Sequence, residues 1–248
     1  MVQGIRLLSL DAGNTVIFLD HERLAKLAAR HGFVTDASRL IETEGKAKRR
    51  LAAGQMFFPT WPSMQAPGAR GWGAMVATTL VEAGMAEDKA AEALEEVWKE
   101  HVALNLWSLV PPGFGAAIER VRALGIPVVL VSNSEGMLER LFRELKIFGH
   151  FDLLLDSGIV GVEKPDPKIF QVALDKFGVE AADAIHLGDI YSTDVLGGRA
   201  AGMRVALIDP FKHYDGMYTD VPRVAGVVEA AHAIADLTLA ARAVPPTS

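Results

Sequence analysis

The stretch Leu7-Leu8-Ser9-Leu10-Asp11-Ala12-Gly13-Asn14-Thr15 constrains this chain more than any other. An apolar run of about four to eight residues bounded by turn residues reads as a buried strand, and Gly-Asn reads as a turn. The run ends in a carboxylate, so Asp11 is expected at the C-terminal tip of a parallel strand. Ligands of open α/β sheets bind in the crevice outside such tips. Alone, Asp11 has an ordinary explanation as a turn-capping residue. Three later segments that also end in polar, chemically useful side chains shift the balance.

Taken in order, Val16-Ile17-Phe18-Leu19 leads to Asp20, an N-cap for a helix with Leu24, Leu27 and Ala28 at helical spacing and Gly32 at its end. Asp36 caps a second helix with Leu40, Ile41, Ala47 and Leu51 on one face, while Lys46, Lys48, Arg49 and Arg50 fall mostly on others. Residues 55–73 form a loop rich in aromatic and Pro residues, which either packs over a neighbour or lines a ligand cavity. Helices over 72–83 and 87–106 follow, with His101 packed beside the stripe of Leu94, Val97, Trp98 and Leu104.

Pro111-Pro112-Gly113 breaks the chain most sharply. Helices dominate before it. After it, strands at 126–131, 151–156, 184–187 and 204–208 alternate with helices over 113–124, 135–146, 167–177, 193–201 and 227–241. Such alternation implies a parallel sheet covered on both faces. The expected architecture is α/β: a Rossmann-like doubly wound core from residues 1–17 and 110–248, with an all-helical domain inserted over 18–109 and a frayed tail at Pro245-Pro246-Thr247-Ser248.

Composition narrows the function classes. Half of the 248 residues are hydrophobic and 23% are charged, enough for a sizeable core and unlike a disordered chain. A net charge of −6 argues against non-specific nucleic-acid binding, which needs a basic face. With no cysteine, thiolate catalysis, disulfides and Cys-ligated metal centres are excluded. No run approaches the ~20 apolar residues of a membrane span, and Met1-Val2-Gln3-Gly4-Ile5-Arg6 does not read as a signal peptide. A cytoplasmic monomer or homodimer is expected.

The polar segment ends belong together. Asp11 offers a nucleophile or metal ligand. Ser132 offers a hydroxyl, and an N–H at a helix start suited to an anion. Lys164 offers a fixed positive charge. Asp189 and Asp194, five residues apart across a strand-to-helix turn, offer two more carboxylates. Three carboxylates in one place require a cation, and hard oxygen donors with a phosphate partner point to Mg²⁺. The set describes a phosphoryl-transfer site. No Gly-rich phosphate loop of the Walker or dinucleotide type is present.

These pieces resemble the four ordered motifs of the haloacid dehalogenase-like (HAD) superfamily: Asp11-Ala12-Gly13-Asn14-Thr15, Val131-Ser132-Asn133, Lys164-Pro165, and Gly188-Asp189-Ile190-Tyr191-Ser192-Thr193-Asp194. The helical block between the first two motifs looks like that superfamily's inserted cap. The resemblance implies that Asp11 is the nucleophile forming an aspartyl-phosphate. It implies that Asp11, the Gly13 carbonyl, Asp189 and Asp194 hold Mg²⁺, Asp194 directly or through water. Ser132 and Asn133 would bind the transferring phosphoryl group. Thr15 belongs with them, acting through the geometry of its loop. Lys164 would bridge Asp11 and phosphate. The implied substrate is a small phosphorylated metabolite.

One departure matters. In most phosphatases of this superfamily the residue two after the nucleophile is a second Asp, which protonates the leaving alcohol; here it is Gly13. General acid–base catalysis is typically worth ~10²–10⁴-fold. A phosphatase could favour good leaving groups, or borrow an acid from the cap, with His21, Glu22 and His31 in the right region. Phosphonoacetaldehyde hydrolases of the superfamily carry a small residue there and use a cap lysine as a Schiff base; Lys46 and Lys48 fall in that region but read as surface residues. The 2-haloacid dehalogenases also lack the second Asp, yet need no metal, and Asp189 and Asp194 argue against that branch. A degenerate phosphate-binding module is the remaining alternative.

Overall fold

A computed structural model describes residues 4–243; the expected frayed tail lies outside them. Strand β1 (Leu7–Leu10) is wholly buried between two parallel neighbours, as a run apolar but for Ser9 requires of an interior strand. Those neighbours are β4 (Val128–Ser132) and β6 (Ala184–Gly188). With β5 (Leu153–Asp156), β7 (Arg204–Ile208) and β8 (Arg223–Val224) they form a six-stranded sheet, ordered β5-β4-β1-β6-β7-β8 and parallel throughout. Register pairs Leu10 with Leu130 on one side and Leu187 on the other. The residues that follow β1, β4 and β6 therefore emerge together at one edge.

Helices α5 (Phe114–Arg122) and α10 (Val227–Ala243) supply apolar residues to one face of the sheet. Helix α7 (Ser157–Val160) is a single turn after β5, and α8 (Lys168–Phe177) covers the other face with Ile169, Phe170, Ala173 and Leu174. The helix after β4, α6 (Leu138–Glu144), starts three residues later than its periodicity predicts. The intervening backbone is held in a loop, with the Ser134 N–H donating to Ser157 Oγ at 3.0 Å and the Gly136 N–H to Asp156 Oδ1 at 2.9 Å.

Between β1 and β4 the chain leaves and re-enters the core through a two-stranded antiparallel ribbon, β2 (Phe18–Leu19) against β3 (Trp107–Leu109). Strands β3 and β8 escape the sequence pattern because two or three residues carry no readable period. The ribbon supports α1 (His21–Arg30), α2 (Ala37–Ala52), α3 (Ala69–Ala83) and α4 (Glu87–Ala103). Asp20 and Asp36 cap α1 and α2 as expected, accepting from the N–H groups of Arg23 at 2.9 Å and Arg39 at 2.8 Å. Apolar residues from Leu19 to Leu106 enclose a core of their own.

Much of the aromatic content of the 55–73 stretch is absorbed there. Trp61 packs against Trp72 and Trp98 with ring centroids 5.9 and 5.7 Å away, so it fills the helical core rather than a ligand cavity. His101 is packed as expected, stacked on Trp98, its Nδ1 accepting from the Leu106 N–H at 3.2 Å. Among the described residues, no helix is long and apolar enough to cross a membrane.

Candidate active site

Asp11 follows β1 directly. Its N–H still bonds Leu187 O at 2.8 Å, so the ladder with β6 sets its position. The loop then turns through Asn14, whose φ of 51° lies in the left-handed region that Asn tolerates better than most residues. Asp189 leaves the end of β6 one strand away. Asp194 returns to it because residues Tyr191–Val195 form a π-turn ahead of α9 (Leu196–Ala200). The Asp194 carboxylate accepts the Ile190 N–H at 2.9 Å. It packs so tightly over Gly188 that a Cβ there would lie 2.2 Å from its Cγ, so only glycine admits it.

One carboxylate oxygen from each of Asp11, Asp189 and Asp194 lies within 4.8 Å of the others, and all three residues are buried. Lys164 enters between two of them, its ammonium 2.5 Å from Asp11 Oδ1 and 2.6 Å from Asp194 Oδ1. Burial opposes its charge, but these carboxylates more than offset that and hold it protonated above the usual lysine range. His186, on β6, reaches Asp194 Oδ1 at 3.1 Å, and its Nδ1 lies 2.8 Å from Ser9 Oγ. Burial pushes its pKa down, so it acts as a neutral prop.

Ser132 ends β4, beside β1, and is buried. The side chain of Asn133 is engaged by the backbone of Lys164. Its amide donates to Lys164 O at 2.8 Å and accepts the Lys164 N–H at 2.7 Å, so it staples the backbone of Lys164. Thr15 is fully buried, with its hydroxyl unpaired and its N–H on Ala12 O at 3.4 Å. Gly13 stands against Trp107, and a Cβ built there would meet only the Trp107 ring at 3.5 Å.

The largest correction concerns α2. Lys48 is not a surface residue: it is 3% exposed, with its ammonium 2.6 Å from Asp189 Oδ2 and 3.8 Å from Glu44 Oε1. Lys46, two residues earlier, pairs with Glu42 at 2.9 Å and stays at the periphery. Glu44, also buried, accepts from Asn14 Nδ2 and meets His21 Nε2 at 2.9 Å. Glu44 and Lys48 stand four residues apart on one helical face, inside a run of charges that otherwise reads as solvated. That spacing was the only available signal.

Burial pushes the Glu44 carboxyl up, yet Lys48 and His21 more than offset it and hold it at about 2, against an ordinary 4.5. A depressed carboxyl stabilises the fold above its unfolded pKa and ceases to do so as pH falls through the folded one. The stability difference between wild type and Glu44→Gln in urea unfolding is therefore expected to shrink as pH falls from 4.5 towards 2. A difference that stays constant across that window would remove the carboxylate from this role.

The donor set fits a hard divalent cation. Burial pushes both Asp11 and Asp189 up, and each is raised further by neighbouring carboxylates. Four buried carboxylates, counting Glu44, face only two buried ammonium groups. Asp189 Oδ2 is met by the Lys48 ammonium at 2.6 Å. Oxygen donors in this arrangement suit Mg²⁺.

A family model described as haloacid dehalogenase-like hydrolase matches residues 5–202. The chain belongs to that family. The hydrolase is 31% identical over 210 residues to haloacid dehalogenase-like hydrolase domain-containing protein 3 of Bos taurus, covering 82% of each chain. It is 36% identical over 135 residues to the phosphoserine phosphatase of Thermus thermophilus, covering 52% of this chain and 51% of that one. A crystal structure of a Bacillus subtilis HAD-hydrolase bound to magnesium superposes with a TM-score of 0.60 at 18% identity, covering 93% of this chain and 99% of that one. That likeness concerns the fold.

Proposed function

We propose that this hydrolase is a Mg²⁺-dependent phosphatase that cleaves a small phosphorylated metabolite through an aspartyl-phosphate on Asp11. The observation that carries the reading is the Lys164 ammonium bridging Asp11 and Asp194 where three buried carboxylates converge. That is a nucleophile held beside a fixed cation, the minimum that phosphoryl transfer asks of a protein.

Asp11 attacks phosphorus with a carboxylate oxygen, and the P–O bond to the substrate's alcohol breaks. The alkoxide takes its proton from water, and a second water hydrolyses the aspartyl-phosphate, releasing phosphate and restoring the carboxylate. Lys164 opposes the upward push of burial on that carboxylate and neutralises charge on the phosphoryl oxygens. Asp194, held by the Ile190 N–H and propped by His186, fixes the Lys164 ammonium. Asn133 fixes the Lys164 backbone. The Ser132 hydroxyl would donate to a phosphoryl oxygen. Asp11, Asp189 and Asp194, with the Gly13 carbonyl, would hold Mg²⁺, which supplies further neutralisation of the phosphate. Residues 18–109 act as the cap over this site, the role their separate core and the β2–β3 ribbon support. The Thermus relative's name supports a small phosphorylated substrate.

The phosphonatase alternative needs a neutral lysine amine from the cap. Burial lowers the Lys48 pKa, but Asp189 and Glu44 more than reverse this and keep an ammonium there, which counts against it. The test is turnover of para-nitrophenyl phosphate and acetyl phosphate with Mg²⁺ and with EDTA. Turnover of both that EDTA removes is expected. No turnover of either would overturn the phosphatase reading.

A further inference from the structure

Lys48 is a cation carried by the cap, and it is lodged on a carboxylate of the core. Its surroundings fix the stem and leave the charge a choice. Helix α2 lies directly on His213: a Cβ at Gly45 would be 2.7 Å from the His213 ring, and His213 Nε2 bonds Ile41 O at 2.8 Å. His213 Nδ1 in turn lies 3.3 Å from Lys48 Nζ. The ammonium then has two anionic neighbours, Asp189 Oδ2 at 2.6 Å and Glu44 Oε1 at 3.8 Å. The contact with Asp189 joins an ammonium to a carboxylate oxygen that a divalent cation would also claim. Glu44 stays with Lys48 whatever happens at Asp189, because both ride on the same helix.

A divalent cation on Asp189 and an ammonium 2.6 Å from the same oxygen would repel in a buried, weakly screened site. We propose that Lys48 and a divalent cation compete for Asp189, and that Lys48, displaced when the cation takes that carboxylate, becomes the cap's binding group for the phosphate of the substrate. The inference rests on the phosphatase reading. The phosphate dianion would then lie between an ammonium of the core, Lys164, and an ammonium of the cap, Lys48. Metal loading and anion binding would be coupled through one side chain, with no change in its protonation.

The test is calorimetry on the full chain, with MgCl₂ alone and with inorganic phosphate in saturating MgCl₂, for wild type and Lys48→Met. Lys48→Met is expected to bind Mg²⁺ alone about tenfold more tightly, because a competitor is gone, and phosphate about tenfold more weakly, because a ligand is gone. Opposite signs are the mark of the exchange. A purely structural role would weaken both, and either that result or unchanged constants would overturn the proposal. If Lys48→Met does not fold, the Lys48 Nζ resonance of ¹⁵N-lysine-labelled wild type, assigned with Lys48→Arg, replaces it. That signal is expected to move on adding Mg²⁺ and again on adding phosphate; a signal unmoved by both overturns the exchange. Failure of Mg²⁺-loaded wild type to bind phosphate at all counts against the phosphatase reading itself. Equal phosphate binding by wild type and Lys48→Met removes only the role of Lys48.

Discussion

Asp11→Asn is expected to abolish turnover while leaving the fold intact. The carboxamide matches the carboxylate in shape but has no nucleophilic oxygen anion. Loss of a covalent nucleophile typically costs on the order of 10⁴-fold or more in kcat. The fold should tolerate the change, for reasons visible in the site. Lys164 keeps Asp194 at 2.6 Å, so its ammonium is not stranded. Asn also removes one charge from a cluster where burial already disfavours the ionised form of Asp11. Thermal unfolding followed by circular dichroism should show a Tm equal to or above that of wild type. Full para-nitrophenyl phosphate turnover by the purified variant would sink the aspartyl-phosphate mechanism.

Gly13→Asp is expected to raise activity, and to raise it selectively. Position 13 offers no group that could protonate a leaving alcohol. Alkyl leaving groups depend on that proton, whereas aryl and acyl leaving groups depart with little help. Adding a positioned acid is worth ~10²–10⁴-fold where proton transfer limits the rate. The backbone permits the substitution: Gly13 does not adopt a left-handed conformation, and a Cβ meets Trp107 at an ordinary 3.5 Å. Rates on a series of alkyl and aryl phosphates should therefore converge in the variant. Equal gains on both kinds of ester would show that the missing acid is not the limitation.

The polar segment ends were legible because each closes a strand or opens a turn with its own local signature. Asp11 after Leu7–Leu10, Ser132 after an apolar run, and Asp189 with Asp194 around a turn can all be read without tertiary information. So can the caps at Asp20 and Asp36, since a cap is a contact within four residues. Lys48 reads as a surface residue and His21 only as an acid that could be borrowed, while Glu44 and His186 carry no sign of their place beside the site carboxylates. A buried charge and a solvated one look identical in a helix until something packs on that face. What the Asn133 side chain touches was hidden for a related reason: a loop amide can point at a ligand or at a neighbouring backbone, and here it meets the backbone of Lys164.

Local order thus follows from the chain itself: the alternation of strands and helices, the helical insertion, and the family to which the motifs belong. Strand and helix periods are short-range properties, and parallel strands joined by helices have few ways to assemble. The charge balance of the site belongs to the tertiary structure. Lys48 lies 141 residues before Asp189, yet its ammonium lies 2.6 Å from that carboxylate. Helix α2 brings it there by resting on His213, a contact that Gly45 permits and that no periodicity in the sequence records.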